Sequence, residues 1–491
     1  VTSTEQPELP PTTEALIQTF AAFMESVNER TSRGRADGKP HLDSVLTEHL
    51  GRSPVGLAVV SEQVPGIRTA DADIAIETVM RRSTDGRTVG IGGGEQRMHT
   101  SLPEMIEQDA QWHHYPVGAV DYLRSPVGPA ATRRVVSFGL HLFPYAESPV
   151  AVLQRSANPR FGMQGSLEIL APDEEVATAL LTELRSAMNE HSVLRGQMVS
   201  FVASEFDPSM GGITFLDRPT LTEQDVILPP GVLDRVTRQV LGVAAHRETL
   251  RAAGQHLKRG VLLYGPPGTG KTHTVRYLAG ARPETTVIVL TGTTLALVRM
   301  ATEIARVLEP AIVVLEDCDL IAENRSFHDG PQPLLFEVLD AMDGLGPDTD
   351  IAFLLTTNRA DLLERALAQR PGRVDLAAEV PLPDGPARRA LFELYRAGIA
   401  FSPEALDTAA ERTDGVTASF VKEVVRRAVL IAAEAGHPVG DADLDAAVSE
   451  LTEDTAGITR SLLGGAPDGG DVDPYALYDD FGQGFADGDL E

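Results

Sequence analysis

Gly265-Pro266-Pro267-Gly268-Thr269-Gly270-Lys271-Thr272 decides the fold of this chain. The stretch satisfies the pattern G-x-x-x-x-G-K-[ST] at every position. Before it runs Gly260-Val261-Leu262-Leu263-Tyr264, an apolar run with the length of a buried parallel strand. After it, residues 273–278 have helical character. A strand, a glycine-rich turn and a helix N-terminus are the context such a loop requires. The glycines let backbone N–H groups turn inward around phosphate oxygens, and the helix dipole adds positive potential there. Lys271 is expected to reach the β- and γ-phosphates, and the Thr272 hydroxyl to bind Mg²⁺.

Strands and helices alternate downstream. Residues 286–290 read as a strand, 295–308 as a helix, 311–315 as a fully apolar strand, 334–342 as a helix and 351–357 as a strand. This order predicts a doubly wound parallel sheet with ligands at the C-terminal ends of its strands. The chemistry-bearing residues follow such strands. Glu316 and Asp317 end the third strand, and Asn358 ends the fourth. Cleaving a γ-phosphoryl bond needs Mg²⁺, a positioned water and charge stabilisation. Glu316 is placed to act on Mg²⁺ through water, Asp317 to polarise the attacking water and Asn358 to orient it. Arg370-Pro371-Gly372-Arg373 then displays two guanidinium groups on a rigid turn. Their fixed fork of donors suits a γ-phosphate.

The rest of the chain frames this core. Residues 1–11 and 464–491 have the polar, proline-rich or acidic composition of disordered segments. Residues 12–210 read as an α+β domain, with strands expected at 55–60, 74–80, 135–142, 150–154, 166–170 and 198–203 and an amphipathic helix at 174–190. Residues 211–230 form a connector stiffened by Pro219, Pro229 and Pro230. Residues 231–385 make the α/β nucleotide unit, and 386–452 a helical lid. The fold class expected is therefore α/β, a phosphate-loop sheet with a helical lid, preceded by an α+β domain. Two features of that first domain point to no chemistry. Gly90-Ile91-Gly92-Gly93-Gly94 reads as a hairpin loop, since no helix opens after it. His113-His114 has no Cys or His at ligand spacing beside it and is not read as a metal site.

Composition narrows the function class. A formal charge of −29 opposes nonspecific nucleic-acid binding over the whole surface. One cysteine, Cys318, excludes an intrachain disulfide framework and fits a reducing compartment. No run reaches the ~18 apolar residues of a membrane span. Residues 1–11 lack a basic stretch followed by an apolar one. A cytoplasmic protein is expected.

Taken together, GPPGTGKT, the apolar strand with Glu316-Asp317-Cys318-Asp319, Thr356-Thr357-Asn358, residues 366–375 and residues 380–384 with Arg388 resemble the AAA family of ATPases. The resemblance covers roughly residues 220–450. It implies a ring, usually of six copies, with ATP and Mg²⁺ bound between subunits. By it, Gly265 to Thr272 form the first nucleotide motif, Glu316 and Asp317 the second, and Asn358 the first sensor. Arg370 and Arg373 match the fingers that reach a neighbouring subunit's nucleotide. Two departures stand out. The second motif usually runs Asp then Glu, whereas here Glu precedes Asp. The segment 291–299 also lacks the aromatic residue that many unfolding members use to grip a threaded chain. Both departures are similar to the subgroup of the mitochondrial Rieske-protein translocase. Ala418-Ser419-Phe420 replaces the Ser-Gly-Ala common in such rings. The function expected is an ATP-hydrolysing homo-oligomeric ring that remodels a protein partner chosen by the N-terminal domain. The alternative is a nucleotide-dependent assembly module with marginal hydrolysis.

Overall fold

A computed structural model describes Thr19 and residues 40–157, 163–202, 212–318, 334–359 and 374–452. The termini expected to be disordered, and Arg370 and Arg373, lie outside these residues. The chain divides into two compact units, one of 1–193 with 202–214 and one of 194–201 with 215–491.

In the first unit the order is α1 (Leu42–Leu50), β1 (Val59–Val64), α2 (Thr69–Met80), β2 (Arg87–Ile91), α3 (Leu102–Trp112), β3 (Val117–Gly118), β4 (Asp121–Pro126), β5 (Thr132–Tyr145), β6 (Ser148–Arg155), β7 (Gly165–Leu170) and α4 (Glu174–Glu190). The strands pair antiparallel in the order β1-β7-β6-β5-β2-β3, with β4 also on β5. Helices cover both faces. Ile76 and Val79 of α2 join Leu180 and Leu184 of α4 over Phe143, Val152 and Ile169. Leu42 and Leu46 of α1 join Met105 and Ile106 of α3 over Phe138 and Leu153. Cover on both sides explains why Val150, Ala151, Val152 and Leu153 of β6 are apolar and buried at successive positions instead of alternating.

Three segments differ from expectation. The strand expected at 55–60 runs instead over Val59–Val64. Residues 74–80 are rich in β-branched side chains and read as a strand, yet they form the second half of α2. Ala72, Ala75, Ile76 and Val79 recur at helical spacing and bury against α4 and the sheet, and that packing outweighs strand propensity. Gly90 is not in a loop but in β2, facing Gly118 of β3. A Cβ there would lie 1.6 Å from the Ala119 carbonyl oxygen, so only glycine permits the approach.

The second sheet and its helices comprise β8 (Met198–Val202), β9 (Gly212–Leu216), α5 (Val232–Thr237), β10 (Arg259–Tyr264), α6 (Lys271–Gly280), β11 (Thr286–Thr291), α7 (Val298–Val307), β12 (Ala311–Glu316), α8 (Leu334–Asp343), β13 (Ile351–Thr357) and β14 (Leu376–Glu379). Four helices follow: α9 (Gly385–Tyr395), α10 (Pro403–Arg412), α11 (Ala418–Ala435) and α12 (Asp441–Thr452). The sheet order is β14-β10-β13-β12-β11-β8-β9, and every pairing from β14 to β8 is parallel. This is the doubly wound phosphate-loop fold. Residues 198–202, expected with the N-terminal domain, pair with β11 instead. Partner choice in a parallel sheet is non-local, so the strand's neighbours in sequence do not reveal it.

The N-terminal ends of the central strands are clamped together. Arg259, opening β10, donates to the Asp350 carboxylate just before β13 at 2.8 Å. Its other N–H groups reach the carbonyls of Val240 and Leu257 at 3.0 and 2.7 Å. The helical subdomain has a separate core around Phe392, Phe420, Val424 and Leu444. Asp384, Ser402 and Thr417 cap the first three of its helices with side-chain oxygens.

Candidate nucleotide site

The loop 265–270 leaves β10 at the C-terminal edge of the sheet. Gly265, Gly268 and Gly270 take φ of +144°, +75° and +113°. Glycine alone enters these regions without strain, which is how the loop turns its N–H groups inward. Gly265 is doubly constrained, because a Cβ there would lie 2.2 Å from the Val380 carbonyl oxygen. Lys271 opens α6. Its ammonium is buried and donates to the carbonyls of Gly265 and Pro266, each at 2.7 Å. Thr269 closes the turn by donating to Pro266 at 2.9 Å.

The sheet order brings the other expected groups to the same edge. β10 lies between β14 and β13, and β12 lies beyond β13. Tyr264 is in register with Thr357, and Leu315 with Leu355, so the strands end level. Glu316, the last residue of β12, has its carboxyl within reach of the Thr272 side chain, which opposes the rise in its pKa. The two expected metal-side groups are therefore neighbours. Burial pushes the Glu316 carboxyl above the usual range, and the neighbouring Asp317 charge pushes it further. The nearby Thr272 side chain and the Arg276 charge pull back. Asp317 has φ +52°, a left-handed conformation that Asp tolerates better than most residues. The Thr356 hydroxyl holds it there, accepting the Asp317 N–H at 3.0 Å, and the Thr356 carbonyl accepts the Cys318 N–H at 3.0 Å. Asn358 follows β13 directly and is partly exposed.

The chain's groups fit a nucleoside triphosphate with Mg²⁺. A buried ammonium stands at a glycine turn, and a hydroxyl–carboxylate pair lies beside it.

Three contacts were not read from the sequence. Ser419, in the first turn of α11, donates its N–H to the Gly268 carbonyl at 3.1 Å and its hydroxyl to the same oxygen at 3.3 Å. The helical subdomain thus rests on the phosphate loop. The odd Ala418-Ser419-Phe420 sequence was the only hint. His273 of α6 contacts the Asp225 carbonyl at 2.9 Å, tying the connector to the loop helix. Ile227 packs on the helical core and Leu228 on the sheet core, so two adjacent apolar residues of the connector join the two. Arg388 is structural. It is buried, donating to the carbonyls of Ala410 and Pro383 and pairing with Asp414. Lys422 is exposed on α11.

This fold and this edge define a phosphate-loop nucleoside triphosphatase. Residues 261–382 match the ATPase family associated with various cellular activities (AAA). The chain is 30% identical over 316 residues to the proteasome-activating nucleotidase of Methanospirillum hungatei, covering 60% of this chain and 73% of that protein. It is 30% identical over 300 residues to the proteasome-activating nucleotidase of Thermococcus onnurineus, covering 57% and 72%. It is 31% identical over 265 residues to the ATP-dependent zinc metalloprotease FtsH 3 of Sphaerobacter thermophilus, covering 51% of this chain and about half, 53%, of that protein. The chain belongs to the AAA family of ATPases, whose cofactor is ATP with Mg²⁺. Among the described residues, no helix is long and apolar enough to cross a membrane.

Proposed function

We propose that this chain hydrolyses ATP as a homo-oligomeric, six-membered ring and uses the turnover to remodel a protein partner held by its N-terminal unit. The buried Lys271 ammonium on the glycine turn, with Glu316 ending β12 at the same edge of the sheet, supports the reading best. Lys271 would stabilise charge on the terminal phosphate, and Thr272 and Glu316 would seat Mg²⁺, which spreads that charge when bound. Asp317 would polarise the attacking water and Asn358 would orient it. Arg370 and Arg373 would serve the neighbouring subunit's site. The matched nucleotidases and metalloprotease carry names that couple nucleotide to work on proteins, which favours a protein substrate.

Within the family we place the chain with the Rieske-translocase subgroup, on the Glu316-Asp317 order. The segment 292–298 is compatible with a ring that does not grip by an aromatic paddle, since Leu295, Leu297 and Val298 turn into the core.

The test is phosphate release from Mg-ATP by assembled protein. Wild type should turn over, and Lys271→Ala should lose at least ~10²-fold. Equal silence of both under assembling conditions would end the enzyme reading. Asp317→Asn should bind ATP, stall and retain the partner in a pull-down.

The inverted acid pair favours a second reading, an assembly module with marginal hydrolysis. Exchanging the pair to Asp-Glu separates the two. A large gain in turnover supports the module, and a loss supports an active site tuned to the native order.

A further inference from the structure

Away from the nucleotide site, three metal-ligating side chains converge in the first unit. His41, Asp109 and His113 hold their ligand atoms within 4.8 Å of one another. His41 comes from one piece of backbone, and Asp109 and His113 from another. His41 stands just before α1, fixed by a bridge to Pro116. Asp109 lies on α3 and is fully buried. His113 ends α3 with φ +49°, a conformation uncommon outside glycine. Asp109 and His113 are four residues apart, the helical spacing that puts two side chains on one face.

The carboxylate is held in place. Its Oδ2 accepts the Asp43 N–H at 2.9 Å and its Oδ1 the Tyr115 N–H at 2.7 Å. Each oxygen keeps a further lone pair. The decisive atom is His41 Nδ1. It is closed off from solvent and makes no close hydrogen bond, although the His41 side chain faces the Ser44 N–H in the cap of α1. It stands 3.6 Å from Asp109 Oδ1, too far for a hydrogen bond. A buried polar atom left in this way costs on the order of 1–3 kcal/mol and points to an ion or water that satisfies it. The His113 ring lies 5.1 Å from the His41 ring, centroid to centroid, and is exposed.

We propose that His41, Asp109 and His113 form a binding site for a divalent transition metal of the Zn²⁺ class. Two neutral imidazoles and one carboxylate are the borderline N/O donor set that Zn²⁺ takes, leaving one tetrahedral position for water or a partner's donor. Donors around tetrahedral zinc at ~2.0–2.1 Å stand roughly 3.3 Å apart. His41 and Asp109 already approach that separation, so closure falls to the exposed His113 side chain. The two N–H groups on Asp109 are the supporting contacts such a ligand needs. The bound ion would pin the start of α1 to the end of α3.

The test uses full-length, untagged protein freed of metal with EDTA, without nucleotide. Titration with ZnCl₂ should show one equivalent per chain and raise the melting temperature, and CoCl₂ should give the visible absorption of a tetrahedral N/O site. His113→Ala should weaken zinc binding at least tenfold and lose the thermal gain. His114→Ala, beside it, should keep both. His113 is exposed, and an unchanged melt in EDTA verifies the fold of the variant. The proposal fails if wild type takes up no zinc. It fails equally if His113→Ala binds as wild type does, or if His114→Ala loses as much.

Discussion

The two sheets of this protein spend their buried polar groups differently. In the parallel sheet, polarity is sorted by strand end. The C-terminal ends carry the phosphate loop, Glu316, Asp317 and Asn358, while the N-terminal ends carry the Arg259–Asp350 clamp. In the antiparallel sheet, polar groups lie within the layers and brace one another. His141 bridges Thr88 at 3.0 Å and Gln154 at 2.9 Å, and burial holds its imidazole below the usual range. Arg155 pairs with Glu168 at 3.1 Å, and Glu168 also accepts the Leu102 N–H, the first of α3, at 2.7 Å. A parallel sheet aligns all its strand ends and so can separate a stabilising edge from a reactive one. An antiparallel sheet has no such edge.

Breaking the two buried ion pairs should have the largest effect on stability. Asp350→Ala strands the Arg259 charge, and Glu168→Ala strands that of Arg155. Removing one member of a buried pair costs about 3–5 kcal/mol. Urea denaturation should show losses of that size in both variants. If the separation of edges is real, Asp350→Ala, measured below its unfolding range, should change nucleotide affinity by less than about tenfold. A collapse of affinity in the folded variant would mean that the edges are coupled.

The next effect is on the reactive edge itself. Gly265→Ala must place a methyl against the Val380 carbonyl at φ +144°, whereas Gly270→Ala at φ +113° meets no atom within 4 Å. Strain of this kind costs on the order of 1–3 kcal/mol. Both variants should lose stability, with Gly265→Ala the worse and the weaker binder of ATP. Equal loss in calorimetry and nucleotide titration would show that backbone conformation alone, without the close approach, sets the requirement.

Legibility followed the same division. The phosphate loop is a continuous string, and Glu316, Asp317 and Asn358 each end an apolar run, so local pattern located them. The strands at 286–291, 311–316 and 351–357 were readable because burial on both faces makes them unbroken apolar runs. Ser419 was opaque, because its role comes from where the helical subdomain rests, not from its neighbours. The placement of 198–202 depended on a partner some 90 residues away. In the first unit, α2 looked like a strand by residue type, and His41 lies far in sequence from the Asp109–His113 face it joins. Chemistry assembled from distant segments leaves no spacing to read.

Glu316 gives a smaller effect of opposite sign. Its folded-state carboxyl titrates above the usual range, chiefly through burial, so the folded state penalises the ionised form. That penalty is fully present above the raised pKa and fades as pH falls toward the unfolded value. Glu316→Gln should therefore stabilise the nucleotide-free protein at pH 7 by about 0.5–1 kcal/mol, with the gain vanishing in acid. The same variant should lose Mg²⁺-dependent turnover. Melting curves across pH check the first outcome and phosphate release the second. A uniform loss of stability would mean that the carboxylate braces the sheet, as Glu168 does in the first unit.

Ser419→Ala should have the smallest effect, and it asks whether the lid contact is carried by backbone or side chain. The Gly268 carbonyl accepts two donors from Ser419, and alanine removes only the longer one, from the hydroxyl. A net contribution of about 0.5–1 kcal/mol is usual for one such bond. ATP affinity should thus shift less than about fivefold, because the N–H bond persists and α11 stays docked. Ser419→Val keeps the N–H but adds bulk where a Cβ on Gly268 would already stand 3.2 Å from the Ser419 Cβ. That variant should push the lid from the loop and weaken ATP further than alanine does. If alanine and valine weakened ATP equally, the hydroxyl itself would be the functional contact, and the lid would sense the loop by side-chain chemistry instead of by backbone fit.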